Sequence, residues 1–149
     1  MGPIRIDDVR QRIEAQVPAL AGHLGNAGDF ANLVEHNQLP QQTPAGYVMP
    51  GGLRGGQADA ATGLFRQAFD ELVIVVLVTR VAGDPLASAA IDEISPLVRA
   101  TINAVVGWGP ADAIGVFQLA QAELVGAKDG ALVFQIDFAL FDQLRITTP

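Results

Sequence analysis

The stretch Leu72-Val73-Ile74-Val75-Val76-Leu77-Val78 is the longest uninterrupted apolar run in the sequence. Five of its seven residues are β-branched, which favours a strand. Because both parities of the run are apolar, we expect this strand to be covered on both faces of a sheet. The predicted strand extends from Phe65 to Arg80, and its upstream half, Arg66 to Glu71, carries charges. That charged half is therefore expected to protrude or to lie at an interface.

Two helical segments are predicted before this strand. The first runs from about Ile6 to Gln16 and is ended or kinked by Pro18. Its apolar positions recur at steps of three and four, namely Ile6, Val9, Ile13, Val17 and Leu20. The second is a short helix with Asp29 as its N-cap. Its expected inward face comprises Phe30, Leu33 and Val34.

A third helix is predicted after the strand, where Asp84 is a good N-cap and Pro85 suits the first helical position. One face of this helix is apolar and comprises Leu86, Ala90, Ile94, Leu97, Val98, Thr101, Ile102 and Val105. Pro96 either kinks this helix or separates two helices, and Gly107 is expected to stop it. Trp108 follows at the boundary with the next element, where we expect it to pack the helix end onto the sheet. The alternative is an exposed anchor for a partner.

The last third of the sequence predicts a β-hairpin. A strand over 116–125 is followed by the turn signal Lys128-Asp129-Gly130 and then by a clean two-residue alternation. The main apolar positions of that alternation are Leu132, Phe134, Ile136, Phe138 and Leu140. Asp137 is expected on the opposite face, or paired with Arg80 or Arg145 if that face is covered. The order helix, strand, long strand, helix, hairpin predicts one α+β domain over 1–149, with a mainly antiparallel sheet and helices packed on one face.

The glycine-rich stretch Gly51-Gly52-Leu53-Arg54-Gly55-Gly56 is interpreted as the centre of one long flexible loop, residues 50–63. A phosphate-binding loop would need a lysine and a hydroxyl residue directly after the glycines, between a strand and a helix. This stretch has neither. We therefore favour a mobile loop, or a loop that becomes ordered on a partner with Arg54 at the contact.

The charge balance argues against nucleic-acid binding and favours protein partners. The formal net charge is −7, and eight arginines accompany a single lysine, Lys128. The sequence pI is about 4.5 and the mean hydropathy is +0.31. Phosphate-backbone binding needs clustered positive charge, which this sequence lacks. An apolar chain with few charges favours another protein or copies of itself as the partner. No apolar run approaches the ~20 residues of a membrane helix.

The sequence also offers no recognisable catalytic, cofactor or metal site. It contains no cysteine, and its two histidines, His23 and His36, are too few for a zinc site. The adjacent carboxylate pairs are interpreted as solvated surface, because sequence neighbours do not converge on one bond. They are Asp7-Asp8, Asp70-Glu71 and Asp92-Glu93. Ser88 and Ser95 lie in a predicted helical region rather than at a nucleophile turn. We therefore predict no enzymatic activity.

Several short stretches together form a family pattern that covers nearly the whole chain. They are Val9-Arg10-Gln11-Arg12-Ile13-Glu14, Pro44-Ala45-Gly46-Tyr47-Val48-Met49-Pro50, the glycine-rich stretch, Arg66-Gln67 with Asp70-Glu71, Val73 to Leu77 with Arg80, Gly107-Trp108, and Leu132 to Phe138 with Leu144-Arg145. In these stretches the chain resembles the tail terminator proteins of long-tailed bacteriophages. The resemblance implies a sheet flanked by helices, without catalytic residues or a cofactor. It also implies a hexameric ring that caps the finished tail tube, stops its polymerisation and presents the surface that joins the head.

The implied partners are copies of the chain, the tail tube protein and a head–tail connector protein. The implied location is the virion tail, after assembly in the host cytoplasm. Expected interface residues are Leu53 and Arg54 in the glycine-rich stretch, with Arg66, Asp70 and Arg80 along the long strand. Two alternatives remain open on the residues alone: another connector or tail completion protein, and a dimeric domain that binds a small ligand.

Overall fold

A 17-residue strand is the axis of the computed structural model, which describes residues 4–81, 83, 88–128 and 130–147. The elements in chain order are α1 (Ile6–Gln16), a short 3-10 helix (Pro18–Leu20), β1 (Leu24–Gly25), α2 (Ala27–Glu35), β2 (Ala45–Ala61), β3 (Leu64–Arg80), α3 (Ser88–Val105), β4 (Phe117–Lys128) and β5 (Ala131–Thr147). The predicted long strand and the first helix are confirmed.

The strands form one sheet in the order β1-β2-β3-β5-β4. Only the two-residue pairing of β1 with β2 is parallel, and the other three ladders are antiparallel. The central ladder pairs every residue of β3 with β5, from Leu64 opposite Thr147 to Arg80 opposite Ala131, without a register shift. The predicted α+β class with a mainly antiparallel sheet is confirmed.

The main core lies between one face of the sheet and the two longer helices, α1 and α3. We call this the helix face. Its buried sheet residues are Val48, Val73, Val75, Leu77, Phe117, Leu132, Ile136, Phe138 and Leu140. From α1, Val9 and Ile13 pack against them, and α3 contributes Ile94, Leu97 and Val105 among others. Burying a large apolar side chain of this kind stabilises the fold by about 1.5–3 kcal/mol.

Helix α2 packs on the opposite face of the sheet, which we call the outer face. Phe30 and Leu33 pack against Tyr47, Val76 and neighbouring strand residues, and the Phe30 and Tyr47 rings lie 5.4 Å apart. The prediction of helices on one face therefore holds for α1 and α3 only. In the apolar run of β3 the even-numbered residues are apolar like the odd-numbered ones, so both faces of the sheet must be covered.

The start of α2 also differs from the prediction. The N-cap is Asn26, whose side-chain oxygen accepts a hydrogen bond from the Asp29 backbone N–H at 2.9 Å. The Asp29 carboxylate in turn accepts from the Asn26 N–H at 2.9 Å, so Asp29 is the third helical residue of a capping box. Of the predicted inward face, Phe30 and Leu33 pack on the sheet, whereas Val34 is 62% exposed.

Helix α3 continues through Pro96 as one helix. The proline lies on an exposed face of the helix, where the carbonyl that it leaves unbonded can be solvated. Gly107 adopts φ +83° just after the helix, a conformation that favours glycine, and confirms the predicted stop. The predicted N-terminal signal, Asp84-Pro85, and the first apolar position, Leu86, lie outside the described residues.

Trp108 packs between helix and sheet, as predicted. Its ring stacks on Phe117 at a centroid distance of 5.9 Å. The Arg12 guanidinium lies 5.2 Å from the Trp108 ring centroid, and Arg12 Nε donates to the Ala104 carbonyl at 2.8 Å. The tryptophan therefore connects α1, the end of α3 and the first residue of β4.

The predicted C-terminal hairpin is confirmed as β4 and β5, joined after Lys128. Of the turn signal, Asp129 lies outside the described residues. Asp137 lies on the outer face, as expected, where it accepts a hydrogen bond from Gln135 Nε2 at 2.9 Å. The hydrogen-bond partner of Asp137 is thus Gln135, rather than either of the arginines suggested by the sequence.

The prediction of a loop over residues 50–63 is wrong. β2 continues through the glycine-rich stretch to Ala61, and a turn at Thr62 and Gly63 leads into β3. Glycine disfavours strands locally, but pairing with the long β3 supplies backbone partners as far as Ala61 opposite Leu64. Register shifts between Pro50 and Gly52, and between Gly55 and Ala58, accommodate the extra residues as bulges.

Candidate interaction surface

The strands β2, β3 and β5 continue beyond the helix-covered core as a three-stranded projection. We call residues 52–71 and 141–147 the distal extension, and the rest of the described protein the body. Every residue from Gly52 to Gly63 is exposed, and the tip is the turn at Gly63, whose φ is +79°. The predicted protrusion of the charged half of β3 is therefore confirmed, although a sheet projects rather than a strand beside a loop.

Charged side chains line the outer face of the distal extension. Arg54 lies directly across the ladder from Asp70. Four residues nearer the tip along β3, Arg66 forms an ion pair with Asp59 at 3.4 Å, and Arg145 is the β5 partner of Arg66. Exposed ion pairs of this kind contribute little to stability, so these charges remain available to a partner.

Apolar side chains on the same projection remain open to solvent. Leu53 is 52% exposed, Ile146 is 51% exposed and Phe141 is 45% exposed. Phe141 lies on the outer face opposite Asp70, whereas Leu53 lies on the helix face opposite Glu71. Both faces of the distal extension therefore combine apolar and charged groups, which is the usual composition of a protein interface.

Four of the five residues expected at an interface lie together on the distal extension: Leu53, Arg54, Arg66 and Asp70. Arg80 does not join them. It lies at the other end of β3, ten residues from Asp70, a separation of about 33 Å along a strand. Arg80 is exposed there, and its backbone carbonyl accepts a hydrogen bond from the Thr43 hydroxyl at 3.4 Å.

A buried polar joint connects the distal extension to the body, and the sequence analysis missed it. Glu71 and Arg5 are each only 5% exposed, and the Glu71 carboxylate accepts a hydrogen bond from the Arg5 backbone N–H at the start of α1. The Arg5 guanidinium donates to Asp112 at 2.6 Å and to Asp8 at 3.4 Å. The joint thus ties β3, α1 and the segment before β4 together.

The pKa values of two carboxyl groups in the joint, Glu71 and Asp112, are shifted in opposite directions. Burial raises the pKa of Glu71, and this effect exceeds the lowering by the Arg5 N–H and the Arg5 charge. The hydrogen bond from Arg5 lowers the pKa of Asp112. Glu71 was predicted to be solvated surface, which is wrong. The sequence pattern could have shown that Glu71 is buried, because residues 71, 73 and 75 of a strand point to the same face and Val73 and Val75 are buried.

The sheet also has two free edges. β4 pairs with β5 on one side, and on its other side the backbone of Phe117, its first residue, bonds to Gly107 and Trp108. The exposed apolar residues of β4 are Leu119, Leu124 and Val125. On the other edge, β1 covers β2 only at Gly46 and Tyr47. Exposed edges present unpaired backbone groups and are natural sites for a further strand.

The described side chains include no evident centre for chemistry. Within residues 4–81, 83, 88–128 and 130–147, no group of three or more His, Cys, Asp or Glu residues is placed to hold a metal ion. An apolar depression of about 410 Å³ lies between the end of α1 and α3, and Glu93 is the only ionisable residue in its lining. None of the helices in the described ranges is both long and apolar enough to span a membrane.

A projecting sheet with free edges, charged rows and exposed apolar groups defines a protein that makes contacts with other proteins. The chain belongs to the phage tail terminator protein family, whose model matches residues 1–148. The resemblance noted from the sequence is thereby confirmed over nearly the whole chain. A search of curated proteins found no match. Membership makes this chain a structural protein of the phage tail that interacts with other tail components.

Proposed function

We propose that six copies of this chain form a ring on the end of the finished tail tube, stop tube polymerisation and provide the surface that joins the head. The observation that carries the proposal is the family match over residues 1–148. In this proposal the tail tube protein and a head–tail connector protein are the partners on the two sides of the ring, and assembly takes place in the host cytoplasm.

The distal extension supports a ring in physical terms. It is built from the ends of β2, β3 and β5 at one end of the sheet, so a contact between extension and body joins two different surfaces. Such a heterologous contact repeats from copy to copy and closes into a ring when the rotation between copies is right. The exposed apolar residues of the extension supply the area that such a contact buries.

The mass and shape of the purified protein test the ring. Light scattering of the purified protein is expected to give about 94 kDa, six times the chain mass of 15.6 kDa. Negative-stain images of the same fraction should show particles with a central hole. A compact dimer without a hole, in the presence and absence of tubes, would contradict the proposal.

Tail length tests the capping function. We expect Arg54→Glu to give abnormally long tails in a complementation assay, because Arg54 is exposed on the distal extension and in this proposal its charge faces a partner. Arg99→Glu, an equal charge change on the exposed side of α3, is the matched control and should restore normal tails. Both variants should unfold within about 0.5 kcal/mol of the wild type, as is usual for exposed positions. Normal tails with Arg54→Glu would remove this residue from the interface.

A further inference from the structure

We propose that neighbouring copies in the ring join by strand addition, with β4 of one copy paired antiparallel to the free edge of β2 in the next. This inference rests on the proposed ring and identifies the contact that closes it. The free edge of β2 is the segment 48–61, beyond the two residues that β1 covers. That segment has 14 residues, and β4 offers 11 beyond Phe117, whose backbone bonds to Gly107 and Trp108, so the two edges are similar in length.

The strand directions suit this pairing. β2 runs antiparallel to β3, β3 to β5, and β5 to β4, so β2 and β4 run in opposite directions within one copy. Continuing the sheet from β4 into β2 of the next copy therefore produces another antiparallel ladder. Because the two edges are different surfaces, the contact is heterologous and leads to a ring rather than to a two-fold dimer.

The side chains select a register. Glu123 lies on the outer face opposite Gln135, and Arg54 lies on the same face opposite Asp70. Placing Glu123 beside Arg54 of the next copy brings Leu124 beside Leu53 on the helix face. A one-residue slip would mix the two faces, because the side-chain period of a strand is two.

The aligned side chains are complementary and available. Leu53 and Leu124 are each 52% exposed, so their contact would bury apolar surface on both copies. Arg54 and Glu123 are both exposed, and none of the ion pairs found within the described ranges involves either residue. The register therefore satisfies one charge pair and one apolar pair at adjacent positions.

The stagger that this register imposes is similar in size to that of closed sheets. Through β5, Glu123 lies level with Val76 of its own copy, whereas Arg54 lies level with Asp70, six residues away along β3. The next copy is therefore shifted by about 20 Å along the strand direction, and the four strands of one copy span about 19 Å across that direction. The resulting strand tilt is about 45°, at the upper end of the range for closed barrels.

A charge exchange tests the pairing. Arg54→Glu and Glu123→Arg should each weaken association at least about tenfold, because each places like charges together across the interface. The double variant should return to within about threefold of the wild type, since it restores the pair in reverse. Arg99→Glu combined with Asp92→Arg on the exposed side of α3 is the matched control and should leave association unchanged.

Cross-linking in this cysteine-free chain gives an independent readout. Arg54→Cys combined with Glu123→Cys should form disulfides between copies on oxidation, giving a ladder from dimer to hexamer on a non-reducing gel, because directly opposed strand residues lie within disulfide reach. Each single cysteine variant should run as a monomer on the same gel, because the residue opposite its cysteine is not a cysteine. A wild-type ring of hexameric mass, with no rescue by the double charge variant and no ladder, would overturn strand addition and leave the ring standing. Absence of any ring, with or without tail tubes, would instead refute the proposed function.

Discussion

β3 runs through both the body and the distal extension, and its side chains have different roles in these two regions. In the body, Val73, Val75 and Leu77 are buried under α1 and α3. In the distal extension, the same strand carries Arg66 and Asp70, with no helix above them. Side-chain burial stabilises the body and the base of the extension, where Phe69 is 5% exposed and Glu71 forms the joint, whereas the rest of the extension relies on strand pairing. The difference teaches that one strand can supply both the core and an uncovered surface for assembly.

The largest expected contrast between the two regions comes from two phenylalanines on β5. Phe138 is fully buried in the body and Phe141 is 45% exposed on the distal extension. Phe138→Ala should lower the free energy of unfolding by about 3–5 kcal/mol, because it leaves a cavity in the core. Phe141→Ala should lower it by less than about 1 kcal/mol. Urea unfolding followed by circular dichroism measures both, and equal losses would mean that the extension is as tightly packed as the body.

The joint should give an intermediate effect. Glu71→Ala is expected to cost about 1–3 kcal/mol, because the buried Arg5 backbone N–H then loses its acceptor. Glu71→Gln keeps an oxygen for that N–H and removes the buried charge, so as the matched control it should lose no stability at pH 7. Thermal unfolding at pH 7 measures both variants, and an identical loss in the two would refute the role of the hydrogen bond.

The same joint predicts a dependence on pH. Because the folded protein holds the pKa of Glu71 above its ordinary value, ionisation of Glu71 costs stability, and that cost disappears as pH falls through the raised pKa. Asp112 has the opposite sign, since its lowered pKa contributes stability that is lost as pH falls through the lowered value. Glu71→Gln should therefore gain stability relative to the wild type at pH 7, and the gain should shrink toward pH 4. A gain that is constant with pH would contradict the assignment.

The smallest contrast concerns two glycines with positive φ. Gly107 ends α3 in the body at +83°, and Gly63 forms the tip of the extension at +79°. Gly107→Ala should lower the free energy of global unfolding by about 1 kcal/mol, the cost of a left-handed conformation with a side chain. Gly63→Ala should instead accelerate hydrogen exchange near the tip, with under about 0.5 kcal/mol of global change. A larger global loss at Gly63 would show that the tip unfolds together with the body.

The elements with strong periodic patterns could be predicted from the sequence. The three- and four-residue steps of α1, the β-branched run of β3 and the alternation of β5 each depend on local patterns that the fold preserves. The glycine-rich part of β2 could not be predicted, because its strand state comes from pairing with β3 rather than from its own residues.

The surface could be predicted only in part. The charged half of β3 indicated a protrusion, and four of the five expected interface residues lie on it. The joint was missed because Arg5 and Glu71 are 66 positions apart, and no local pattern links such residues. The interface role of Arg54 and its neighbours remains a prediction for the experiments above.

The uninterrupted β3–β5 ladder has a mechanical consequence. Both neighbouring ladders contain bulges, whereas this one pairs all 17 positions of β3 in a single register. A pull on the tip along the strand axis would load these rungs together, in shear, instead of opening them one after another. The pair should therefore act as a stiff rod about 56 Å long, which would transmit tension from the tip to the packed end without stretching.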